Sequence, residues 1–160
     1  MNFFRRLFLM MITLLVLTGC NDFPGENEET AAEERNWEQS PLFESNGYSM
    51  IGEEGRAGFI YEDSEVDRFY PDKIQKYMWH FWESEEDLTG KFMVIGTHEL
   101  TQEQIEVVPE GLDVSRLAPN DGEPHRVPTN MTLPKKGMWK LEAMFDDKIV
   151  GTVYVKVHDS

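Results

Sequence analysis

The most legible pattern of apolar and polar positions lies at the C-terminus. Trp139, Leu141, Ala143 and Phe145 alternate with Met138, Lys140, Glu142 and Met144, the period of two that sends successive side chains to opposite faces of a strand. Asp146-Asp147 makes a tight connection, and Lys148 to Val157 runs as a second strand. There Ile149, Gly151, Val153, Val155 and Val157 are expected on one face, with Val150, Thr152, Tyr154 and Lys156 on the other. Together these predict an antiparallel hairpin with one buried face.

Shorter pieces of the same kind precede it. Tyr48–Ile51 and Phe59–Tyr61 are short apolar runs set off by the turn signals Asn46-Gly47 and Gly52-Glu53-Glu54-Gly55. Ile74–Trp82, Lys91–Thr97 and Gln104–Val108 read as further strands, and Pro109 to Pro128 reads as loop. No window of helical length carries an apolar stripe at three-to-four spacing. The region from residue 42 to 160 is therefore expected to be an all-β, antiparallel β-sandwich.

The N-terminus follows a different rule. Arg5 and Arg6 precede Leu7 to Leu17, a stretch in which Thr13 is the one polar residue. It is too short to cross a hydrocarbon core of about 30 Å as a helix, and it has the form of an export signal. Leu17-Thr18-Gly19-Cys20 follows and resembles the lipobox of bacterial lipoproteins. The resemblance implies a diacylglyceryl thioether on Cys20, cleavage after Gly19, and acylation (palmitate, for example) of the new amine. Chains of that kind contribute about 0.8 kcal/mol per buried CH₂, and two or three of them hold a protein on a membrane lastingly. Residues 1–19 are thus expected to be a lipoprotein signal peptide. Residues 20–41 form an acidic tether, in which Asp22, Glu26, Glu28, Glu29, Glu33 and Glu34 face Arg35 alone. The expected location is the extracytoplasmic face of the cell membrane.

Composition narrows the function. The chain of 160 residues has a formal net charge of -15, and losing the leader with its two arginines makes the remainder more acidic still. Nucleic acid is excluded as a partner, because binding it rests on neutralising phosphates with Lys and Arg. The single cysteine rules out an internal disulfide and thiolate-rich metal centres.

Two resemblances concern the folded part. Leu133-Pro134-Lys135-Lys136-Gly137-Met138-Trp139-Lys140-Leu141, followed by the Asp-Asp turn and Val153-Tyr154-Val155-Lys156-Val157, resembles the last two strands of immunoglobulin-like domains in bacterial surface proteins. Tyr48-Ser49-Met50-Ile51-Gly52, Lys76-Tyr77-Met78-Trp79-His80-Phe81-Trp82 and Gly90-Lys91-Phe92, with the same hairpin, resemble a family of lipoproteins from Bacillus-type bacteria. The resemblance implies an immunoglobulin-like β-sandwich at the cell surface and carries no established activity. The immunoglobulin-domain disulfide has no counterpart here.

Three groups of residues are candidates for function. In a strand, Tyr77, Trp79 and Phe81 would share one face, with Met78, His80 and Trp82 on the other. Large groups on both faces imply either that the Tyr48–Tyr61 segment or a loop covers the second face, which is favoured, or that Met78, His80 and Trp82 form an exposed ligand-binding patch. His98 and His125, with nearby acids, could hold zinc or copper at the cell surface, though no ligand spacing supports this. The Pro109–Pro128 loop could be presented to a peptidase cleft as an inhibitor would present it. Among catalytic patterns there is no Gly-x-Ser-x-Gly, no His-Glu-x-x-His and no phosphate-cradling glycine loop. The expectation is a non-enzymatic binding module without a cofactor, anchored through Cys20, whose partner is an extracellular protein, peptide or glycan.

Overall fold

Aromatic side chains at every second position of one strand organise the interior. The computed structural model describes residues 36–84, 86–113 and 124–159. Among them nine strands form: β1 Leu42–Ser45, β2 Tyr48–Glu53, β3 Ala57–Ile60, β4 Gln75–Phe81, β5 Lys91–His98, β6 Gln104–Asp113, β7 His125–Met131, β8 Gly137–Phe145 and β9 Lys148–Val157. They make two sheets, ordered β1-β2-β3-β4-β7 and β6-β5-β8-β9, and every strand pair is antiparallel. The expected all-β sandwich is what forms. Five strands on four departs from the four-on-three arrangement of constant-type immunoglobulin domains, chiefly because β1 and β2 extend one edge.

The core lies between the sheets. On β4, Tyr77, Trp79 and Phe81 point inward and are buried. Phe81 meets Phe92 of β5 and Phe145 of β8 at centroid separations of 5.5 and 5.4 Å, so edge-to-face ring contacts tie the sheets together. At the opposite end of β4, Tyr77 stacks on Phe69 at 4.6 Å. Phe69 belongs to the β3–β4 connection and is fully buried. Burial pushes the nearby Tyr61 phenol up to about 12, with Asp63 adding to the shift, and raises that of Tyr77 further. These hydroxyls therefore stay protonated, and Tyr77 donates to the Asp67 carbonyl at 2.8 Å.

Differences from the sequence-based expectations have local causes. Asn46 and Gly47 both have positive φ, 51° and 79°, the geometry of a tight hairpin turn; the strand before it, β1, was not anticipated. Of the region expected to be loop, Pro109 to Pro128, the described residues are largely strand. β6 runs on to Asp113 and β7 starts at His125, while residues 114–123 lie outside the described residues. The C-terminal hairpin forms as expected, apart from one position. A bulge between Ala143 and Met144 in the β8–β9 register reverses the alternation at the start of β9. Val150 is 2% exposed and Ile149 45%, the opposite of the expected faces. Past the bulge, Gly151 lies so close to β3 that an added Cβ would come within 2.2 Å of the Ala57 Cβ.

The free edge of β9 is covered. The Ser40 amide donates to the Tyr154 carbonyl at 3.0 Å, and the Tyr154 amide to the Ser40 hydroxyl at 2.9 Å. Further along, Phe69 forms a parallel bridge with Val157. Residues 37–41, expected to belong to the tether, are thus fastened to the sandwich. The rest of the expected tether, and the signal peptide with Cys20, lie outside the described residues.

Truncating a ring at the sheet-to-sheet contact should be costly. Phe92→Ala is expected to lower stability by about 3–5 kcal/mol, read in urea unfolding as a fall in the midpoint with little change in slope. An unchanged midpoint would mean that these ring contacts do not hold the sheets together.

Candidate functional site

The outward face of β4 gathers Met78, His80 and Trp82, as the alternation predicts, but the face is covered. His80 is 1% exposed, and Met78 and Trp82 are half-buried. The covering comes from the N-terminal hairpin. Tyr48 stands edge-on to His80 at 6.4 Å, and Phe43 of β1 packs against Trp82 at 6.1 Å. Gly58, opposite His80 in the sheet, makes this possible, because a Cβ there would lie 3.2 Å from the Phe43 ring. The reading of these three residues as an exposed ligand-binding patch is therefore corrected: they form a small second core, reachable at the margins of Met78 and Trp82.

The two histidines considered for metal do not converge. His125 pairs with Phe81, whose ring contacts Phe92 near the start of β5, whereas His98 ends β5. At about 3.3 Å per residue, the length of that strand alone separates the two ends by about 20 Å. The His98 ring packs on Trp139 at 5.0 Å. Its Nε2 lies 3.0 Å from the Lys136 carbonyl, which can only accept, so Nε2 carries the proton. Nδ1 then accepts from the Thr101 amide at 3.3 Å. Both nitrogens are spent on holding the β5–β6 turn against the β7–β8 corner. No group of three or more His, Cys, Asp or Glu side chains among the described residues is arranged to hold a metal ion.

A cleft not anticipated from the sequence opens at the His98 end of the sandwich. It has a volume of about 530 Å³ and is walled by Arg68, Tyr70, Leu100, Lys136, Lys156 and His158. Backbone pairing assembles it. The His158 amide donates to the Phe69 carbonyl at 2.8 Å, which sets Arg68 and Tyr70 beside the end of β9. The β8–β9 register pairs Gly137 with Val157, which brings Lys136 alongside His158. Leu100, 72% exposed, stands on the β5–β6 turn.

Its charges are partly balanced. Arg68 Nε donates to Asp63 at 2.7 Å, and Lys136 pairs with Asp159 at 2.9 Å. These bonds hold the Asp63 and Asp159 carboxyls below their usual value. Lys156 makes no ion pair among the described residues. The His158 Nε2 is buried without a hydrogen-bond partner among the described residues. Burial, then Arg68 and Lys156, hold the His158 imidazole below its ordinary value, while Asp63 and Asp159 pull weakly the other way. The ring is therefore neutral at pH 7. One signal for this cleft was present in the sequence: the predicted hairpin implies that Lys136 and His158 are neighbours. Arg68 and Tyr70 join them only through the Phe69–Val157 bridge, which no local pattern announces.

Comparison with known proteins places the fold. A family model described as a domain of unknown function, DUF4871, matches residues 27–155. The chain belongs to the DUF4871 family. A crystal structure described as that of a candidate lipoprotein from Bacillus anthracis shares 17% identity with this DUF4871 chain, with a TM-score of 0.58. The match covers 81% of this chain and 91% of the other. At that identity the likeness concerns the fold. No curated protein matches. The expected kinship with Bacillus-type lipoproteins agrees with both findings.

The cleft's electrostatics are open to titration. Arg68→Gln removes a cation facing His158, so the imidazolium becomes less disfavoured and the His158 pKa should rise toward 6.5. Histidine ring resonances followed against pH would show this. No movement, or movement downward, would mean that Arg68 does not act on the ring.

Proposed function

We propose that this DUF4871 protein is a lipoprotein held on the extracytoplasmic face of the cell membrane, where its β-sandwich acts as a non-enzymatic binding module. The observation that carries the reading is Leu17-Thr18-Gly19-Cys20 at the end of an apolar leader. The thiol lies where lipid transfer requires it, and the family match begins at residue 27, just beyond. The Bacillus anthracis relative in fold, described as a candidate lipoprotein, supports the same address. A surface rich in Asp and Glu suits a domain that stays dispersed in a wet exterior.

The non-enzymatic part rests on what the sandwich offers. His98 is committed to the β5–β6 turn, His80 is covered, and the cleft presents cations beside an apolar wall rather than a nucleophile with a base. Such an arrangement binds.

Radiolabelled palmitate fed to cells making the protein tests the anchor. Label is expected on the wild-type chain and absent from Cys20→Ser, with the variant lost from the washed membrane as a processed lipoprotein. Label retained by Cys20→Ser, or none on the wild type, would overturn the anchor.

A further inference from the structure

We propose that the cleft between Arg68, Lys136 and Lys156 binds a phosphate group carried on an apolar moiety. The proposal rests on the reading of the sandwich as a binding module and names its ligand class; it does not depend on lipid at Cys20.

The first argument is convergence. In a chain with 15 Lys and Arg against 30 Asp and Glu, three bases from three separate segments wall one cleft against one acid, Asp159. Arg68 comes from the β3–β4 connection, Lys136 from the β7–β8 corner and Lys156 from β9. Solvated lysines on an acidic coat have no reason to meet, and like charges brought together destabilise the fold unless something offsets them.

The second argument is charge balance. Asp63 neutralises Arg68 and Asp159 neutralises Lys136, which leaves Lys156 in surplus. His158 faces Arg68 and Lys156, with Asp63, Asp159 and the Tyr70 ring around it. Burial and these cations hold it neutral, and its buried Nε2 has no hydrogen-bond partner among the described residues. An anion entering the cleft offsets Arg68 and Lys156 and so favours a proton on His158. One surplus charge plus the acquired proton makes two. A phosphate monoester carries about -1.5 to -2 near neutral pH and three acceptor oxygens, whereas a carboxylate offers one charge and two.

The third argument is the wall. Tyr70, Leu100 and Val157 line the same cleft, and Leu100 stands largely in solvent at 72% exposure. A bare phosphate would not use this surface. A phosphate with a ring or an acyl chain beside it would. A phosphatidic acid headgroup and a soluble phosphate monoester share that chemistry.

The test uses the full chain in neutral detergent, with the His158 ring signals as the readout. Phenyl phosphate is expected to shift them saturably and to raise the His158 pKa. Inorganic phosphate should do the same at roughly tenfold higher concentration, and benzyl alcohol should do nothing. Lys156→Gln should weaken phenyl phosphate by about tenfold or more, the scale of a lost charge-assisted hydrogen bond. Lys91→Gln, at the far end of the sandwich, should leave affinity unchanged and serves as the folding control. The sources separate when the chain is reconstituted in phosphatidylcholine vesicles with and without phosphatidic acid, whose headgroup is a phosphate monoester. His158 shifts that appear with the anionic lipid alone assign the group to a headgroup. Shifts that need added phenyl phosphate assign it to a soluble ester. The proposal is overturned if neither occurs, if benzyl alcohol matches phenyl phosphate, or if Lys156→Gln and Lys91→Gln behave alike. Palmitate labelling is unaffected by any of these results, so failure here and failure of the anchor remain distinct.

Discussion

The packing of aromatic rings from β4 against both the facing sheet and the β3–β4 connection is the contact on which the rest of the structure depends. The chain's single cysteine denies the sandwich an internal disulfide, so apolar burial must hold two sheets together. Trp79 and Phe81 lie parallel at 5.8 Å on β4, and Phe92 and Phe145 close on them from across the core. Ring pairs of this kind contribute about 0.5–1.5 kcal/mol each beyond their buried area. The same strand reaches the other way through Tyr77 to Phe69. That stack pins a connection which would otherwise be a long surface loop, and Arg68 and Tyr70 flank the pinned residue. The cleft's geometry is therefore a consequence of core packing.

Alternation made β4, β5, β8 and β9 readable, because each has one face turned to the core and shows it as a period of two. It failed where that rule is interrupted. The bulge at the start of β9 exchanges Ile149 and Val150, and no composition signal marks a one-residue slip. β7 also alternates, with Val127, Thr129 and Met131 buried, but Pro128 sits between them and argues against a strand. The structure resolves the conflict by position: β7 pairs with β4 alone and β6 with β5 alone. Both are edge strands, where a missing amide can face away from the ladder. Pro128 in β7 is tolerated for that reason, and the prolines, glycines and Asn120-Asp121 of the stretch together made it read as loop.

The candidate site was less legible than the fold, for a physical reason. Met78, His80 and Trp82 were conspicuous because large groups occupied both faces of one strand. That oddity marks two-sided burial, achieved when Phe43 and Tyr48 fold over the outer face across Gly58. The cleft has no such local signature. Its residues are ordinary Lys, Arg and His positions until the register of β8 on β9 and the bridge from Phe69 to Val157 place them together. Sequence distance hides this meeting, since the strands β4 to β9 lie between Arg68 and His158.

The path of the chain adds a geometric constraint. The Trp37 amide donates to the Glu99 carboxylate, and Leu100, the next residue, is a wall of the cleft. The polypeptide arriving from Cys20 therefore joins the sandwich at the same end as the cationic walls. Sixteen residue steps separate Cys20 from Asn36, a reach of at most about 56 Å when fully extended. A lipid on Cys20 would hold Asn36 within that distance of the bilayer surface, and the cleft lies at the end of the sandwich where Trp37 joins it. Under the anchor reading, the partners encountered most often by Arg68 and Lys156 are those at the membrane surface. That geometry favours the headgroup over the soluble ester as the source of the phosphate.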